Sequence, residues 1–136
     1  MIEEIQWEGR VLALILRKDV EPEGVRFFTR EENSLQLGIL QHKGGLEIRT
    51  HIHRNHAKII EDVQEILHVE YGKIEANFYS DSGKRIGSKI LNPGDTILLI
   101  SGGHGFKILE DSRIIEVKQG PYPGGQGDKV PLETSE

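Results

Sequence analysis

Residues 45–53 read GLEIRTHIH, and the reading of this stretch decides the fold. Leu46, Ile48, Thr50 and Ile52 fall on one side; Glu47, Arg49, His51 and His53 fall on the other. A period of two is the mark of a β-strand with two unlike faces. Side chains two apart on a strand point the same way. His51 and His53 would then present two imidazoles on one face, roughly 6.5–7 Å apart at the backbone. On a helix the same pair would diverge by about 200°. A strand therefore lets the two rings converge on one ion or one substrate. The plainer alternative is a solvated polar face shared with Glu47 and Arg49.

The same rhythm extends in both directions. Upstream, RVLALILRKDV (10–20) is an apolar run closed by the turn sequence EPEG, VRFFT (25–29) is rich in strand formers, and LQLGILQH (35–42) alternates up to the Gly44-Gly45 turn. Downstream, HAKIIEDVQEIL (56–67) reads as an irregular segment running into a strand near residue 64. GKIEANFYSDSGKRIGSKI (72–90) reads as a hairpin turning at SDSGK, and LNPGDTILLI (91–100) as a Pro-Gly-Asp turn feeding a buried strand. SGGHGF (101–106) is a glycine loop. FKIL, EDSR and IIEVKQ (106–119) read as a further hairpin. From Gly120 the composition turns to glycine, proline and charge, which predicts a surface extension or a flexible tail over 121–136. Eight or more short strands predict an all-β sandwich or barrel.

Composition bounds the function. A chain of 136 residues with 36% hydrophobic and 29% charged residues suits one globular domain. A net charge of −5, with a pI near 5.7, argues against nucleic acid as a partner, because phosphate binding needs a basic surface. No cysteine is present, so disulfides and thiolate metal sites are excluded. The longest apolar run, VLALIL (11–16), is too short to cross a bilayer, and the acidic start does not read as a signal peptide. The expectation is a cytoplasmic protein with no membrane partner.

GLEIRTHIH (45–53) with EILHVEYG (65–72) resembles the first motif of the cupin superfamily: a glycine, an H-x-H pair, a glutamate and a second glycine. PGDTILLISGGHGF (93–106) resembles the second, in which a Gly-Asp turn opens a strand, a glycine loop follows and a histidine starts the next strand. The likeness covers about residues 35–118. Eleven residues separate His53 from Glu65 where the family has three or four, and Ile100 stands where the family has a proline. The resemblance implies a small single-domain double-stranded β-helix (a jelly-roll or cupin barrel) over 1–120, with an N-terminal strand arm and an irregular C-terminal tail. It implies a divalent metal held by His51, His53, Glu65 and His104, and a homodimer in which Trp7 packs on the partner subunit. Three imidazoles and one carboxylate suit Fe, Mn, Ni, Cu or Zn.

Three functions compete. The first is a metal-binding small cupin acting on or binding a small polar molecule. The second is a metal-independent sugar-nucleotide isomerase or epimerase of surface-polysaccharide synthesis, with His51 or His53 as general base and Tyr71, Tyr79 or Tyr122 as proton donor. The third is a non-catalytic carbohydrate-binding or sensing domain. Of the remaining histidines, His42 and His56 are expected in exposed loops. His68, three residues after Glu65, is expected on the opposite strand face.

Overall fold

The computed structural model describes residues 1–135, which form two compact units: residues 1–20 with 63–135, and Glu21–Asp62. The regular structure of both is almost all β-strand. The larger unit contains β1 (Ile2–Trp7) and β2 (Arg10–Leu16); the smaller contains β3 (Gly24–Phe27) and β4 (Gly38–Gln41). The chain returns to the larger unit with β5 (Glu65–Tyr79), β6 (Arg85–Leu91), β7 (Thr96–Leu99) and β8 (Gly103–Lys118), then a four-residue helical turn, α1 (Gly125–Asp128).

The larger unit is a single curled antiparallel sheet, a half-barrel, with strand order β1-β2-β7-β5-β6 and β8 paired to β5. The apolar run VLALIL supplies β2, an inner strand between β1 and β7, buried on both faces from Leu12 to Leu16. The expected hairpin forms as β5–β6, turning through residues 80–84. At the NPGD turn the Asp95 carboxylate is buried and accepts from the amides of Asn92 (2.9 Å) and Lys18 (3.0 Å) and from Arg17 Nη1 (2.9 Å).

Strand β5 makes the sheet curl. Its first residues, Glu65–His68, pair with β7; its last, Ile74–Tyr79, pair with β6; β8 runs along its full length. Register shifts at Val69/Tyr71, Tyr71/Lys73 and Lys73/Ile74 break the ladder in the middle. Before the break the odd positions Leu67 and Val69 are buried; after it the even positions Ile74, Ala76 and Phe78 are. Bulges bend a strand and switch its facing parity, so both halves turn their apolar side toward one core. Gly72 permits the bend: its φ is 92°, and a Cβ there would stand 2.1 Å from Ser112 Oγ. Ser112 completes the corner by accepting the Lys73 amide (3.0 Å) and donating to the Glu110 carbonyl (2.7 Å). The EDSR stretch is therefore a bulged corner inside one sixteen-residue strand, β8, and not the turn of a hairpin.

Trp7 packs against the core of its own chain with Lys84 Nζ 4.6 Å from its ring centre. The flexible tail expected over 121–136 holds, in its described residues 121–135, the turn α1, and docks Ser135 on the β5–β6 turn. There Ser135 donates to the Gly83 carbonyl and accepts the Arg85 amide, both at 2.9 Å.

In the smaller unit β3 and β4 pair antiparallel, and the Gln36 side chain bonds to carbonyls of the intervening loop. The strand expected over 46–53 does not form: residues 46–60 belong to no strand or helix. An alternating pattern provides two faces, but a strand also needs a neighbouring edge to take its amides and carbonyls.

Candidate functional site

The bent β5–β8 ribbon brings together residues that its ladder keeps far apart. Glu65 opens β5, and His104 pairs near the other end of β5, opposite Phe78. Because the ribbon doubles over at Gly72, His104 Nε2 lies 3.0 Å from Glu65 Oε1. The imidazole donates through Nε2–H to the carboxylate, which leaves Nδ1 as the free ring nitrogen. The Phe106 ring, 5.8 Å from the His104 ring, backs it on the same strand face.

Across β8 the inward face continues with Glu116 and Lys118, which stand opposite Leu67 and Glu65 in the ladder. The Glu65 and Glu116 carboxyls share a hydrogen bond. Two carboxylates in contact cannot both ionise freely. The His104 hydrogen bond draws Glu65 down to about 2, and Glu65 in turn pushes the Glu116 carboxyl above its usual range. The pair is thus asymmetric, with Glu65 the stronger acid and Glu116 the weaker. Lys118 Nζ sits 3.3 Å from the half-buried Asp128 of α1 and 5.1 Å from the Tyr122 ring centre; Asp128 holds the ammonium above its usual range.

The His104–Glu65 pair lies in the wall of an open cavity of about 890 Å³. Tyr79 and Asp81 from the end of β5 and the glycines flanking His104 form one side; Gln126, Asp128 and the following tail residues form the other. Tyr79, one of three tyrosines considered as proton donors, lines this cavity, whereas Tyr71 and Tyr122 are exposed.

Of the four expected ligand residues, Glu65 and His104 meet in the larger unit. His51 and His53 lie in the smaller one, exposed, with ring centres 5.1 Å apart. His51 Nδ1–H donates to the Arg49 carbonyl (2.9 Å) and His56 Nδ1–H to that of Arg54 (3.2 Å), which leaves Nε2 free in each ring. His68 bonds to Thr96 Oγ1 at 2.8 Å, and His42 is exposed. Among the described residues no three His, Cys, Asp or Glu side chains are grouped so as to hold a metal ion. The Glu65–His104 pair offers one oxygen and one nitrogen, two donors of a set that would need three or four. Sequence reasoning passed over Glu116 and Asp128. Glu116 could have been found by parity, two residues from Lys118 on a strand; Asp128 carries no local signal.

No helix among the described residues is long and apolar enough to cross a membrane. Comparison with family models, with curated proteins and with solved structures gave no match.

Proposed function

We propose that this chain is a small cupin-type protein whose half-barrel is the frame of a double-stranded β-helix. Its cavity binds a small polar molecule, and His104 exchanges a proton with it. One observation carries this reading: the 3.0 Å contact between His104 and Glu65 in the wall of an 890 Å³ cavity. A carboxylate on one ring nitrogen fixes the tautomer and holds the ring in place, which leaves the other nitrogen to act as the base. Glu65, ionised down to about pH 2, carries that charge throughout the working range. Tyr79 is the hydroxyl in the same wall that returns a proton. A hydroxyl-rich ligand, a sugar or the sugar of a nucleotide sugar, suits a wall that holds Glu65, Asp81, Asp128 and Tyr79. The protein is read as cytoplasmic.

The test is a thermal-shift screen against sugars and nucleotide sugars. Stabilisation follows RT ln(1 + [L]/Kd), about 2.7 kcal/mol at a hundredfold excess over Kd. A ligand that stabilises the wild type and His104→Gln alike, but turns over only with the wild type, supports the reading. Equal turnover in both variants overturns the role of His104.

A second reading, a divalent metal bound through His51 and His53, is favoured by the bond of His51 to a backbone carbonyl. Metal-ligating histidines characteristically donate their second ring nitrogen in this way. When bound, such a metal supplies Lewis acidity. Metal analysis of untagged protein and of His51→Ala/His53→Ala separates the readings: near-stoichiometric metal lost in the double variant supports the second.

A further inference from the structure

The smaller unit keeps a long stretch of its chain in water. Every residue from Leu40 to Val63 is exposed, and residues 46–60 belong to no strand or helix. Apolar side chains recur along this stretch: Leu46 and Ile48 are each 60% exposed, Ile59 91% and Ile52 93%. The strands of the same unit add an apolar face. Val25 stands opposite Leu40 in the β3–β4 ladder and Phe27 follows Val25 by two, so these three side chains point the same way. Each is more than half exposed. Single apolar residues on a surface need no cause, but a concentration of this size marks a docking surface.

The charge of this stretch is opposite in sign to that of the whole chain. Residues 42–60 hold Lys43, Arg49, Arg54 and Lys58 against one acid, Glu47, a net +3 with the histidines neutral, in a chain that carries −5. Among the described residues none of these four cations takes part in an ion pair. Cations and isoleucines interleaved in one exposed segment narrow the partner. Nucleic acid would take up the cations and leave the isoleucines in water. An apolar protein groove would bury the isoleucines and desolvate the cations without compensation. The surface of an anionic bilayer takes both: its headgroups meet the cations and its acyl boundary meets the apolar side chains.

We propose that residues 40–60, with the face formed by Val25, Phe27 and Leu40, dock this chain peripherally on an anionic lipid bilayer. Docking of this kind needs no spanning element. The acidic balance that argued against a membrane partner comes from residues outside this segment. The absence of a ladder over 46–60 fits shallow seating, because amides and carbonyls stay hydrated among headgroups and would be unsatisfied in hydrocarbon. The long stems of Arg49, Arg54 and Lys58 let their charges reach the headgroups while Ile52 and Ile59 sink toward the acyl chains. The inference concerns the smaller unit alone and depends on neither reading of the chemistry.

Co-sedimentation of the full chain with vesicles tests it. One set is phosphatidylcholine alone; the other contains about one-third phosphatidylserine. The wild type is expected to bind the second set and not the first. Raising the salt from about 0.1 M to about 1 M shortens the screening length from about 10 Å to about 3 Å, and the partition coefficient is expected to fall at least tenfold. Arg49→Gln/Arg54→Gln/Lys58→Gln and Ile52→Ser/Ile59→Ser are each expected to lose at least tenfold in partitioning. Both sets of substitutions fall at exposed positions in no strand or helix, so urea unfolding is expected to match the wild type and separates lost docking from lost folding. A wild type that ignores phosphatidylserine vesicles overturns the proposal, and so does equal binding to both sets. Full binding by the triple variant places the contact elsewhere and overturns it too. So does full binding by Ile52→Ser/Ile59→Ser, the behaviour of a general polyanion site that a single-stranded oligonucleotide would equally occupy.

Discussion

Val69 and Ile74 are both fully buried on one strand, although five positions separate them. On an unbroken strand an odd separation puts two side chains on opposite faces. Three register shifts between these residues absorb the difference, and the resulting corner carries the sheet curvature and the meeting of Glu65 with His104.

Gly72→Ala is therefore expected to be severe. The new methyl meets Ser112 Oγ at 2.1 Å and the Asp111 carbonyl at 2.3 Å, at a φ of 92° that L-residues rarely adopt. A loss of about 3 kcal/mol in urea unfolding is expected, whereas Gly87→Ala, with open space around it, changes stability by less than about 0.5 kcal/mol.

Asp95→Ala leaves two amides and the Arg17 guanidinium without their shared acceptor at a buried site. Removing one partner of a buried charged network costs about 3–5 kcal/mol, read by chemical denaturation. Asp95→Asn, which keeps an acceptor oxygen, is expected to lose roughly half of that.

The two linked carboxyls predict opposite pH behaviour. Glu65 is lowered in the folded protein, so its stabilisation is complete above its unfolded value of 4.5 and fades as pH falls toward about 2. Glu116 is raised, so its favourable contribution is present below 4.5 and is lost as pH rises through its folded value. Glu116→Gln is expected to raise the Tm at pH 7 with the gain gone by pH 4. Glu65→Gln is expected to lower the Tm at pH 7, with a smaller loss near pH 2.5. Calorimetry across this range checks both signs.

Truncation after Gly120 removes α1 and the tail from the cavity wall and leaves the core strands intact. For any sugar ligand found by thermal shift, Kd is expected to rise at least tenfold while urea stability falls by less than about 2 kcal/mol. Unchanged affinity in isothermal titration would show that the ligand does not touch the tail.

Local chemistry made part of this structure legible. The all-β class, the hairpin over 72–90 and the NPGD turn with the buried strand that follows it, β7, follow from alternation, apolar runs and turn residues, each of which acts within a few positions of chain. EDSR read as a hairpin turn because its residues are turn-formers; what keeps β8 continuous there is Ser112 bonding to Lys73, 39 positions away.

The sequence by itself determined which side chains share a face wherever a strand runs unbroken, because that depends only on the two-residue repeat of the extended backbone. Whether a strand forms was decided by tertiary structure, since ladder hydrogen bonds need an edge supplied from elsewhere: residues 46–53 have the pattern and no ladder, while Glu65 and His104 lie 39 positions apart and touch. The pairing of those two residues depends on the corner at Gly72, a bend that arises from the packing of two strand segments and that neither segment specifies alone.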